Sequence, residues 1–132
     1  MNRTVTRTLS TVAALAAVGG VVAATSPAAL ANDDRVRRGS CSGSTDWKVK
    51  VGPEDGRLEV EGEVDSSRSG QTWRWRLVHN GSVSASGTRT TGGPSGSFEV
   101  RRVSVNLRGT DSFVFRARNT RSGELCVGTV NY

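Results

Sequence analysis

From Trp47 to the last residue, apolar and polar side chains alternate with a period of two. That is the spacing of a strand with one buried face, not of a helix. Trp47, Val49 and Val51 alternate with Lys48 and Lys50, and Leu58, Val60, Gly62 and Val64 with Glu59, Glu61 and Glu63. Trp73, Trp75 and Leu77 alternate with Arg74 and Arg76, and Val83, Ala85 and Gly87 with Ser82, Ser84, Ser86 and Thr88. Phe98 and Val100 share one parity, Val103 and Val105 the other, so a bulge at Arg101-Arg102 is expected. Phe113, Phe115 and Ala117 alternate with Val114, Arg116 and Arg118, and Leu125 to Tyr132 completes the series. Glycine-containing breaks at 52–56, 66–71, 91–96, 106–111 and 119–124 separate the runs. About seven strands at this spacing predict an all-β antiparallel sandwich.

Two junctions decide its topology. At Asn80-Gly81 a two-residue turn would put Ser84 opposite Leu77 on the core face. A three-residue loop, His79-Asn80-Gly81, would pair Leu77 with Val83, Trp75 with Ala85 and Trp73 with Gly87, which keeps the apolar face intact. The second register is therefore expected. The 66–71 segment is open. As a hairpin it would pair Glu63 with Arg74 and Glu61 with Arg76. As an arch it would send the acidic and basic rows to opposite outer surfaces.

Before Trp47 there is no periodicity. Residues 32–45 hold Arg35, Arg37 and Arg38 and read as a flexible basic arm. Residues 1–31 read as a secretory signal: Arg3 and Arg7, an uncharged run from Val12 to Ala24, then Ala29-Leu30-Ala31 as a cleavage site. The apolar run is well short of the ~20 residues that cross a bilayer. The full chain carries 18 basic and 12 acidic groups. Cleavage after Ala31 removes Arg3 and Arg7 and leaves 101 residues with a net charge of +4, a mild attraction for polyanions. A secreted chain whose only cysteines are Cys41 and Cys126 is expected to close one disulfide. The long loop so formed is worth about 3–5 kcal/mol in the chain-entropy picture.

The run Leu107-Arg108-Gly109-Thr110-Asp111-Ser112-Phe113-Val114-Phe115-Arg116-Ala117-Arg118-Asn119 resembles a corner and following strand of fibronectin type III and immunoglobulin-like domains. It departs from them in having Phe113 where the corner usually holds tyrosine. Cys41 also precedes the first strand read from the pattern, unlike the inter-sheet pair of antibody domains. The chain after residue 31 is also similar to small secreted β-rich proteins of actinobacteria. The resemblance implies an immunoglobulin-like sandwich and transfers no functional residue.

The candidate chemistry is sparse. Gly39-Ser40-Cys41-Ser42-Gly43 has the form of a nucleophile elbow but lacks the preceding strand and following helix that such a turn needs. His79 is the only imidazole, and a catalytic role needs an Asp partner that spacing does not identify. Glu59, Glu61 and Glu63 stand about 7 Å apart along one strand face, a separation glycosidases also use, but a charged alternating row reads as a solvated face. One histidine and two cysteines do not build a zinc site, and Glu54, Asp55 and Asp65 lack calcium-loop spacing. Trp73-Arg74-Trp75-Arg76 interleaves aromatics with arginines, yet strand geometry sends the indoles and the guanidinium groups to opposite faces.

The expectation is a secreted, extracellular, non-catalytic binding module without metal or cofactor, held at an anionic cell-wall polymer of a Gram-positive surface. Arg35, Arg37, Arg38, Arg74, Arg76, Arg116 and Arg118 are the candidate contacts, joined by Lys48 and Lys50 if their strand shares the sheet. Nucleic acid is not expected as a partner. The alternative is a protein-binding scaffold such as an extracellular protease inhibitor, with 90–96 as its reactive loop. The polar row Ser82, Ser84, Ser86, Thr88 and Thr90 is expected on an edge strand.

Overall fold

A computed structural model describes residues 33–132, and the signal reading at 1–31 lies outside the described residues. Eight strands form two antiparallel four-stranded sheets. Sheet A has the order β1 (Arg35–Ser40), β2 (Asp46–Glu54), β3 (Arg57–Asp65), β6 (Ser97–Ser104). Sheet B has the order β5 (Ser82–Thr90), β4 (Thr72–His79), β7 (Ser112–Asn119), β8 (Leu125–Asn131). The period-two reading holds inside the sandwich. Val49, Val51, Leu58, Val60, Val64, Phe98 and Val100 of one sheet meet Trp73, Trp75, Leu77, Phe113, Phe115 and Val130 of the other, all buried.

Four expectations are corrected. First, Arg35–Ser40 is not a flexible arm but the eighth strand, paired along its whole length with β2. Its sequence has no apolar alternation because it borrows order from the backbone edge of β2 rather than from side-chain burial. Second, no bulge occurs at Arg101-Arg102, and β6 runs in unbroken register with β3. Arg102 takes the inward position instead, its guanidinium 5.0 Å from the centre of the Trp75 ring, while Val103 and Val105 stay exposed. The aliphatic stem of an arginine can cover an apolar edge while its head stays wet.

Third, the β4–β5 hairpin has the two-residue turn. Asn80 (φ 45°) and Gly81 (φ 86°) are both left-handed, as a turn matched to strand twist requires. His79 faces Ser82 and Val78 faces Val83; a bulge between Leu77 and Val78 then shifts the register. The pairs that follow are Leu77–Ala85, Trp75–Gly87 and Trp73–Arg89, not the expected ones. A bulge, not a longer turn, returns Ala85 and Gly87 to the parity of Leu77 and Trp75. Fourth, Lys48 and Lys50 lie on β2 in sheet A, apart from the β4 and β7 arginines. The 66–71 segment is the arch, since β3 and β4 belong to different sheets.

The β1–β8 side of the sandwich is fastened. Cys41 and Cys126 form the expected disulfide. The Trp47 indole is wedged between Gly39 and Gly128, where an added Cβ would lie 2.6 Å and 2.5 Å from its ring atoms. Glu124 accepts hydrogen bonds from Gly43 N (3.1 Å), Thr45 N (2.9 Å) and Thr45 Oγ1 (2.9 Å), closing the β1–β2 turn onto the start of β8. On the opposite side β5 and β6 are the free edges of their sheets.

Candidate functional site

The outward positions of sheet B are set by parity. Arg74 and Arg76 alternate with the buried Trp73, Trp75 and Leu77 on β4, and Arg116 and Arg118 alternate with the buried Phe115 and Ala117 on β7. The register places Arg74 directly opposite Arg118 and Arg76 directly opposite Arg116. Opposed side chains in an antiparallel pair start only ~5 Å apart at Cβ. Among the described residues none of these four arginines forms an ion pair, and only the Arg118 side chain donates a hydrogen bond, to the Gly123 carbonyl (3.1 Å).

These arginines floor a groove of about 500 Å³, flanked by Ser86 and Thr88 of β5 and Leu125 of β8. It continues past Arg74 and Arg118 into a second hollow of about 410 Å³ over the β7–β8 turn, where Arg121 joins. A third, of about 400 Å³, shares Arg121 and reaches Arg68 in the arch. Among the described residues, no Asp or Glu lines any of the three. The result is a track of six arginines (Arg76, Arg116, Arg74, Arg118, Arg121 and Arg68) from the outer face of sheet B to the arch. Arg68 and Arg121 sit in turns, where the sequence offers no periodicity to link them to the strand arginines.

The other candidate arginines are elsewhere. Arg35, Arg37 and Arg38 are on β1, at the far edge of sheet A. Arg38 shares its hollow with Asp46, Glu63 and Asp65. Lys48 pairs with Glu63 (2.7 Å), and Lys50 with Asp34 (3.4 Å) and Glu61 (3.6 Å). Arg101 contacts Glu61 (2.6 Å), Glu99 (3.5 Å) and Glu59 (3.8 Å). The glutamate row is thus not simply a solvated face: Glu61 is 6 % exposed and clasped by two cations. Glu61, with Asp34 beside it, holds the Lys50 ammonium above its ordinary pKa of 10.5.

His79 has the partner that spacing alone did not reveal. Its Nε2 lies 2.5 Å from Oδ1 of Asp111, a fully buried carboxylate that also accepts from Leu107 N (3.2 Å). The imidazole stacks on Phe113 at 4.3 Å. The pair ties the β4–β5 turn to the crossover before β7. The nearby Ser84 hydroxyl is committed to the Leu77 carbonyl (3.3 Å), so no serine is seen engaged by the imidazole. The 90–96 loop is hydrogen-bonded back onto the arch through Thr91 N to Gln71 O (2.8 Å), Ser66 N to Gly96 O (3.0 Å) and Ser69 Oγ to Gly93 O (2.7 Å). Among the described residues no cluster of metal-ligating side chains occurs and no helix is long and apolar enough to cross a membrane.

No protein-family model matches the chain, and no curated protein or solved structure resembles it significantly.

Proposed function

We propose that this is a secreted, non-catalytic module that binds an anionic polymer, of the kind found in cell envelopes, along the arginine track of sheet B. The observation that carries the reading is the direct opposition of Arg74 with Arg118 and of Arg76 with Arg116, with no carboxylate in the groove. Like charges placed opposite one another work against the sheet. A bound polyanion reverses the sign of that interaction, because each guanidinium can make charge-assisted, bidentate contacts to phosphate or carboxylate oxygens. Successive arginines on one strand face repeat at about 7 Å, which suits a chain bearing a charge on each repeat unit.

The strand order supports an immunoglobulin-like reading of the sandwich: β2, β3 and β6 correspond to strands A, B and E, and β5, β4, β7 and β8 to C′, C, F and G. The disulfide supports an extracellular site of action. A protease-inhibitor role is less well supported, because inhibitory loops present an extended stretch and 90–96 is tied down.

The test is retention of the protein on cell-wall material and on immobilised heparin, a model polyanion, at two salt concentrations. Retention is expected to fall steeply with salt, to be lost in an Arg74→Ala/Arg116→Ala variant, and to persist when Arg35, Arg37 and Arg38 are replaced together. Retention indifferent to salt, or to the groove substitutions, sinks the proposal.

A further inference from the structure

At the end of the open side, between β5 and β6, lies a pocket of about 220 Å³ that belongs to neither the arginine track nor the glutamate lattice. Arg57 from β3, Arg102 and Ser104 from β6, His79 from β4 and Ser84 from β5 line it, and among the described residues no carboxylate does. Several observations give it the character of an anion receptor. Arg57 forms no ion pair among the described residues, although Glu54 stands opposite it in the hairpin. Ser104 is only 8 % exposed, yet its hydroxyl has no hydrogen-bond partner among the described residues. Asp111 holds His79 Nε2 and so fixes the ring at the pocket wall. Arg102 is held by its stacking on Trp75 (5.0 Å) and by its bond to the Arg101 carbonyl (2.7 Å), so its guanidinium is already oriented.

Two guanidinium groups and the uncommitted, solvent-accessible Ser104 hydroxyl line the pocket beside His79, whose carboxylate partner Asp111 lies outside the lining. Such a set matches an oxyanion in donor number and charge. The volume is below the ~300 Å³ at which pockets enclose whole drug-sized ligands, so it accommodates a head group rather than a large molecule. We infer that this pocket binds a single carboxylate or phosphate group, as a site separate from the arginine track. The inference does not depend on the polymer reading, since the two share no residue.

The experiment is an NMR titration of the disulfide-bonded protein at constant ionic strength. Acetate and inorganic phosphate serve as separate probes and sodium chloride as the control. The readouts are the His79 ring and the Arg57 and Arg102 Nε signals. Saturable shifts at these groups are expected with at least one probe, and which probe saturates at lower concentration identifies a carboxylate or a phosphate head. Arg57→Ala, an exposed change, is expected to weaken that binding about tenfold. Ser104→Ala is expected to weaken it severalfold, whereas Arg74→Thr in the groove leaves it unchanged. Shifts that rise linearly and match those of chloride overturn the inference. So does saturation that survives Arg57→Ala but disappears in Arg74→Thr, which would move the site to the arginine track.

Discussion

The outer faces of the two sheets are built on the same alternation and end in opposite electrostatics. On sheet A, Lys48 pairs with Glu63, Lys50 with Glu61, and Arg101 with three glutamates, although the register also sets Glu63 opposite Glu99 and Arg38 opposite Lys48. On sheet B, Arg74, Arg76, Arg116 and Arg118 face each other across the β4–β7 pair with no counter-charge among the described residues. Cross-strand pairs of opposite sign add stability, so sheet A spends its charge on the fold. Sheet B does not, and its charge remains available to a ligand.

The sharpest way to break the comparison is to reverse one charge in each face. Glu61→Lys puts a third cation beside Lys50 and Arg101 at a site that is 6 % exposed. It is expected to cost about 3–5 kcal/mol, as loss of one partner from a buried pair does, measured by urea denaturation. Next in size is the binding effect. Removing Arg74 and Arg118 together is expected to weaken polyanion affinity by about tenfold or more, given that hydrogen bonds to charged groups are worth about 1.5–3 kcal/mol; isothermal titration at low salt reads it out.

Smaller still, Arg116→Glu creates an opposite-charge pair with Arg76 and is expected to stabilise the protein by about 0.5 kcal/mol. The gain should disappear at 1 M salt, where the screening length falls to about 3 Å. A destabilising Arg116→Glu would mean that the guanidinium row contributes to folding after all. The smallest effect is that of pH on sheet A. Glu61 raises the folded-state pKa of Lys50 above 10.5, so its contribution is complete below that value and is lost as pH rises through the raised one. Lys50 is a third exposed, and screening by solvent keeps the expected loss below about 0.5 kcal/mol. A Lys50→Met variant should show a flatter stability curve above pH 10.

What could be read from the chain was whatever depends on local parity. Trp73, Trp75, Phe113 and Phe115 are inside because alternation puts them there, and the two cysteines had only each other. Beyond parity, the sequence was silent or misleading where backbone pairing or distant partners decide. Arg35–Ser40 is a strand without a strand's composition. Ser84 absorbs a register shift that no residue type announces. His79 and Asp111 lie 32 positions apart and meet only because the β4–β5 turn and the crossover before β7 share one end of the sandwich. The arginines of β4 and β7 were recognisable as outward, but their opposition is a fact of register. Their continuation through Arg121 and Arg68 is a fact of turn placement.

The disulfide acquires a mechanical meaning from its position. Cys126 follows Leu125 at the rim of the groove and pairs with Ala117 in its floor, while Cys41 joins the end of β1 in the other sheet. A pull applied to sheet B at this corner would pass through a covalent bond into sheet A. The unfastened margin at β5 and β6 is where strain would show first, and where a tug from outside would be felt as a parting of the layers.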